Sequence, residues 1–157
     1  MVMINFTYTE SSTCYARRME FLIISRFMAE GFKCFQTVAD DDGTDYAIKS
    51  KSGNFYELQI KARKLNTGET GICKKGSGRF QVKNPVNRPN YYYIFFVEQI
   101  NTMWCMSAQE YLQLCSRHKS GKNMNQTTLT LTSTKGTPHP KFKQYEIKQE
   151  DFVKKFQ

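Results

Sequence analysis

The chain has 157 residues, with 23 Lys and Arg against 14 Asp and Glu, a net charge of +9 and a pI near 9.3. That length suits a single domain with a real core, and the charge favours a polyanionic partner, although a ribosome-associated or membrane-surface protein could carry the same charge. Five scattered cysteines without a C-x-x-C pair, beside only His118 and His139, argue against a zinc site and for a reducing compartment, expected to be the cytoplasm.

In chain order, a lead-in with a strand at Ile4–Tyr8 precedes a helix from Ser11 or Ser12 to Glu30. Hydroxyl residues offer its N-cap and Gly31 its stop. Met19, Ile23 and Phe27 recur at helical spacing, widened by Tyr15 and Leu22. The run Phe21–Ile24 is far too short to span a membrane, and no signal-peptide pattern is expected. Glu20 lies beside the apolar stripe and reads as an exposed helix acid paired with Arg17. Phe32–Val38 reads as a first strand and Asp40–Gly43 as a solvated turn.

Gly43–Lys49 and Phe55–Arg63 then read as two strands of a hairpin. Tyr56, Leu58 and Ile60 alternate with Glu57, Gln59 and Lys61, so the two sets face opposite sides. Ser50–Asn54 holds the turn residues. A hairpin centred on Ser52 places Asp45 opposite Gln59, on the face of Lys61. A two-residue turn at Ser52-Gly53 would place it opposite Ile60. Convergence of Asp45, Gln59 and Lys61 therefore requires an odd-numbered loop or a bulge.

Beyond Lys61 come Arg63, Lys64, Lys74, Lys75, Arg79 and Lys83 among several glycines. This segment reads either as a solubilising loop or as a phosphate-contacting flap, with Arg79–Lys83 as its return strand. Asn84–Asn90 is a connector. Tyr91–Val97 reads as a strand buried on both faces and Met103–Met106 as a shorter strand. Ser107 to Glu110 forms a capping box that opens a helix through Cys115. Residues 116–125 read as a linker, Thr128–Thr132 as a strand with solvent-facing hydroxyls, Phe142–Ile147 as a short strand and Glu150–Phe156 as a closing helix.

An acid, a second oxygen donor and a lysine on one strand face suit metal-assisted phosphodiester hydrolysis. Asp45…Gln59-x-Lys61 resembles the PD-(D/E)xK nuclease superfamily, in a Gln-x-Lys form with Thr44 where the name has proline. The order of elements over residues 11–116 is similar to that family's core; residues 117–157 lie outside it as a C-terminal extension. The resemblance implies an α/β fold with a mixed central sheet flanked by helices. It makes Asp45 and Gln59 metal ligands and Lys61 the catalytic lysine, with Glu20 supplied from the first helix. Glu57, on the same strand face, is a further source of charge. The implied function is a DNA endonuclease using Mg2+ or Mn2+. Its partner is duplex DNA contacted by Arg63, Lys64, Lys74, Lys75 and Arg79, with a homodimer left open and no membrane. The alternatives are an inactive nuclease-like nucleic-acid-binding module and a protein-interaction domain.

Overall fold

The computed structural model describes residues 10–39, 42–65 and 78–157. The strand expected at Ile4–Tyr8, and Asp40, Asp41, Lys74 and Lys75, lie outside the described residues. Helix α1 (Ser12–Ala29) is capped by Ser11, whose hydroxyl accepts the Cys14 N–H. It buries Tyr15, Met19, Ile23, Ile24 and Phe27, so the apolar stripe of the sequence is its packing face. The chain reverses at Gly31, with φ +87°, a left-handed value that glycine adopts without strain.

A five-stranded mixed sheet forms the centre, in the order β1 (Lys33–Gln36), β2 (Tyr46–Lys49), β3 (Phe55–Arg63), β5 (Tyr91–Val97), β6 (Thr102–Ser107). All neighbours are antiparallel except β3 and β5, which run parallel. The mixed α/β architecture with flanking helices is the expected one. Tyr46 pairs with Leu58 and Lys49 with Phe55, which centres the hairpin on Ser52. The odd-numbered loop 50–54 is closed by Gly53 N–H to Ser50 O at 3.0 Å.

β5 is the pivot of the packing because both of its faces are apolar. Ile94 and Phe96 join Leu58, Ile60 and the α1 stripe in one core. Tyr91, Tyr93, Phe95 and Val97 join a second core on the opposite face, with Trp104, Met106 and Tyr111. That second core is roofed by a three-stranded sheet, β4 (Arg79–Lys83), β8 (Gln126–Thr130) and β7 (Ser116–Arg117), in the order β4-β8-β7. Helix α2 (Ala108–Leu114) carries the expected capping box between Ser107 and Glu110.

Arg79–Lys83 is a strand as expected; it pairs with β8, donated by the far end of the chain, and residues 66–77 of the segment read as a flap lie outside the described residues. Three sequence readings need correction. The stretch read as a linker contains β7. The late strand is shifted to Gln126–Thr130, and Thr127, Thr128 and Thr132 are buried, the Thr127 hydroxyl lying 2.7 Å from Tyr111 Oη. Phe142–Ile147 is no strand: Pro140–Tyr145 forms a 3-10 helix, joined to the sheet by a bridge between Glu146 and Trp104.

The last segment completes the first core. Phe152, in α3 (Phe152–Lys155), stacks on Phe27 with ring centroids 4.0 Å apart, and Phe156 meets Phe27 edge-on at 5.5 Å. Phe152→Ala is therefore expected to cost about 3–5 kcal/mol, the range for deleting a buried aromatic ring. Urea unfolding of the two proteins measures it; a loss under about 1 kcal/mol would mean that α3 is a dispensable appendage.

Candidate active site

β2 stops at Tyr46, so the β3 backbone beyond Leu58 needs other partners on that side. Asp45 supplies them. Its N–H donates to Leu58 O at 2.9 Å, and its Oδ2 accepts the Ile60 N–H at 2.7 Å. The carboxylate thus stands in for a strand carbonyl and is fixed at the end of the ladder.

Around it opens a cleft of about 380 Å³, lined by Glu20 of α1, Asp45, Lys61 and Arg63 of β3, and Gln81, Lys83 and Gln126 of the second sheet. The Glu20 side chain is 12% exposed, and its Oε2 accepts from Arg17 Nη1 at 2.6 Å. It is at once the paired helix acid that the sequence suggests and part of the lining of the Asp45 cleft. Tyr46 lies close by with a buried hydroxyl that has no hydrogen-bond partner among the described residues. Burial chiefly, and then the negative charges of Glu20 and Asp45, raise its pKa.

Gln59 does not line the cleft. It is 5% exposed, and its amide packs against Gly43, where an added β-carbon would overlap Nε2. Glu57 is engaged elsewhere: Arg88 holds it through two hydrogen bonds of 2.6 and 2.7 Å. The third guanidinium nitrogen of Arg88 reaches Asp42 Oδ2 at 2.7 Å, and Asp42 Oδ1 accepts the Thr44 hydroxyl at 2.6 Å. These bonds, that of Thr44 foremost, hold the Asp42 carboxyl below its ordinary pKa. Asp42 therefore braces the turn that delivers Asp45.

The basic residues divide. Lys61 and Arg63 are on the cleft, whereas Lys64 pairs with Glu10 at 2.9 Å and lies over the Tyr15 ring. Arg79 is on the second sheet, outside the cleft lining. Gln81 and Gln126 are lining residues that the sequence reading did not select, and Lys83 was read only as part of the basic segment; only the alternation of β4 and β8 signals that they share a face. Glu10 also accepts from Arg18, which bonds Glu98, so α1 is tied to the residues just past the C-terminal ends of the parallel strands β3 and β5. Arg18, then Lys64, pull the Glu10 carboxyl down to about 2.

Two carboxylates and no softer donor make the cleft suitable for a hard cation that keeps most of its waters. Among the described residues, no group of three or more His, Cys, Asp or Glu side chains is placed to hold a metal. A larger cleft of about 510 Å³ between β6 and the closing segment shares no lining residue with this one. Its acids are locally engaged, Glu146 with Lys143 and Asp151 with the Lys148 N–H.

The same arrangement of helices and sheets occurs in a solved protein. The chain shares the fold of a bacterial homing endonuclease. With that structure, I-Ssp6803I, it has 16% sequence identity and a TM-score of 0.59 over 93% of this chain and 95% of the other. No protein-family model and no curated protein matches the chain.

Gly43 sits at φ +81° against the Gln59 amide, so Gly43→Ala is both strained and crowded. It is expected to cost about 1–3 kcal/mol in urea unfolding. Gln59→Ala in the same chain should recover only the crowding part. The Glu10 carboxyl should titrate near pH 2 by carbonyl NMR and return towards its ordinary 4.5 in Arg18→Ala. Because the folded pKa is the lower one, its contribution to stability is present above pH 4.5 and is lost as pH falls towards 2.

Proposed function

We propose that the chain is a metal-dependent DNA endonuclease of the PD-(D/E)xK kind, working in the Asp45 cleft. One observation carries this reading: Glu20 of α1, Asp45 just before β2 and Lys61 of β3 line a single cleft whose other charged residues, Arg63 and Lys83, are cations. The shared fold supports it, since the protein of similar structure is a homing endonuclease.

In this reading Asp45 and Glu20 are the residues that would hold Mg2+ or Mn2+. The bound cation would polarise the phosphate and favour ionisation of a water. Lys61 offsets the negative charge that grows on the phosphate as the water attacks. Arg63 and Lys83 hold flanking phosphates, fixing the strand in line with the attacking oxygen. Gln59 keeps a structural part, holding the Gly43 turn from below. The sequence-based assignment of Gln59 as a ligand is not carried forward.

Asp45→Asn separates charge from structure, because an amide oxygen can still accept the Ile60 N–H. It should weaken Mg2+ binding in calorimetry at least ten-fold and stop cleavage of plasmid DNA. Lys61→Ala should leave Mg2+ binding intact while slowing cleavage by about 10²–10³-fold, the cost of losing one charge-stabilising donor. A parent chain that binds duplex DNA but neither binds Mg2+ or Mn2+ nor cleaves would replace this reading with the inactive binding module.

A further inference from the structure

We propose that the outer face of the β4-β8-β7 sheet is the sequence-reading surface of this protein, laid into the major groove of duplex DNA. The inference rests on the reading of the adjoining cleft as the site where DNA is cut. Phe80 and Val82 of β4, and Thr127 and Leu129 of β8, turn inward and are buried. Arg79, Gln81 and Lys83 therefore turn outward, directly across from Thr130, Thr128 and Gln126, of which Thr128 is itself buried and leaves the other five at the surface. All six can hydrogen-bond, and none makes a side-chain hydrogen bond or ion pair among the described residues. The arginines of α1 and the connector, by contrast, are engaged: Arg17, Arg18 and Arg88 each hold a carboxylate, and Arg26 donates to Asn101 Oδ1.

Charge and chemistry select the partner. The three strands contain no Asp or Glu, and neither does the whole run 111–145 that supplies β7 and β8. A surface of cations and amides without acids complements a polyanion. It also lacks exposed aromatic rings: Phe80, the aromatic residue of these strands, faces the core. Single-stranded nucleic acids are held mainly by stacking on aromatic side chains, and the major groove of duplex RNA is too narrow to read, so duplex DNA is the fitting partner.

Scale and position agree with this. The DNA major groove admits a two-stranded β-ribbon, and five residues of β4 pair with five of β8, while β7 adds only two. Alternate residues on a strand are about 6.8 Å apart, close to two base-pair steps of about 3.4 Å. Gln81, Lys83 and Gln126 line both the sheet face and the cleft, so the reading surface runs continuously into the cutting site. Gln81 and Gln126 are suited to adenine, whose N6 and N7 a side-chain amide contacts in pairs. Arg79 and Lys83 are suited to guanine or to phosphate.

The test is selection from a pool of duplexes randomised over a central 20 base pairs, bound in EDTA to hold off metal-dependent cleavage. The parent should enrich a defined sequence. Gln81→Arg should change the preferred base at one position from adenine to guanine by about ten-fold or more. Gln126→Ala should erase the preference at a position nearby. A merely structural role would not exchange one base for another. Replacing purines of the selected duplex by 7-deazapurines, which lack the major-groove N7, should weaken binding by the parent itself about ten-fold, an arm that needs no variant. Duplex binding without any enriched sequence, the same sequence from the variants as from the parent, or indifference to 7-deazapurines would overturn the proposal. In those cases magnesium-dependent cleavage, measured in parallel, would leave the reading of the cleft standing. Absence of both duplex binding and cleavage would overturn the two together.

Discussion

The Ile60 N–H and the Asp45 carboxylate are the bond on which the site depends. β3 is a nine-residue strand, but β2 accompanies it for only four. Past that point a β3 amide faces no strand, and an unpaired buried amide is costly. Asp45 resolves the mismatch with its side chain, so the carboxylate that lines the cleft is also the group that terminates the ladder. Charge at the site and satisfaction of the backbone are one requirement, and the position of the carboxylate is set by the sheet rather than by a free rotamer.

The remainder of the architecture serves to bring two unlike surfaces to that end of β3. α1 covers one face of the sheet and carries Glu20; the roof sheet covers the other and carries Lys83 and Gln126. Each is secured by contacts of its own. α1 is bound through Arg18 to Glu10 and Glu98, and Tyr15 Oη donates to Arg63 O. The roof is secured by β8, whose Leu129 enters the second core. The cleft lies where the two layers meet along one edge.

Much of this is legible in the residues. The helix, its cap and its stripe, the doubly buried β5, and the capping box of α2 are local patterns with one physical solution. The hairpin register was legible only as a condition, since Ser50–Asn54 admits more than one turn. What sequence could not give was the fate of particular polar groups. Gln59 and Lys61 have the same parity on β3, yet one is buried at Gly43 and the other lines the cleft, because Asp45 turns along the strand towards Ile60. Glu57 was claimed by Arg88 from a connector more than thirty residues away. The pairing of β4 with β8 joins segments far apart in the chain, which no periodicity reports. The 3-10 turn at Pro140–Tyr145 kept the alternation of a strand without its geometry, with Phe142 alone buried.

Arg88 has an effect beyond bracing a turn. By holding Glu57 and Asp42 on one guanidinium, it removes two negative charges from the neighbourhood of Asp45 and puts one positive charge among them. Arg18 does the same for Glu10 and Glu98. At the ionic strength of a cell, fields fade within about 8 Å, so a polyanion arriving at the cleft senses mainly what lies within that distance. The engaged acids contribute little there, and Lys61, Arg63 and Lys83 set the sign of the potential. Acids that sequence composition counts against the positive charge are thus muted where it matters, and the local positive potential at the cleft survives a nearly even mixture of charges along the first half of the chain.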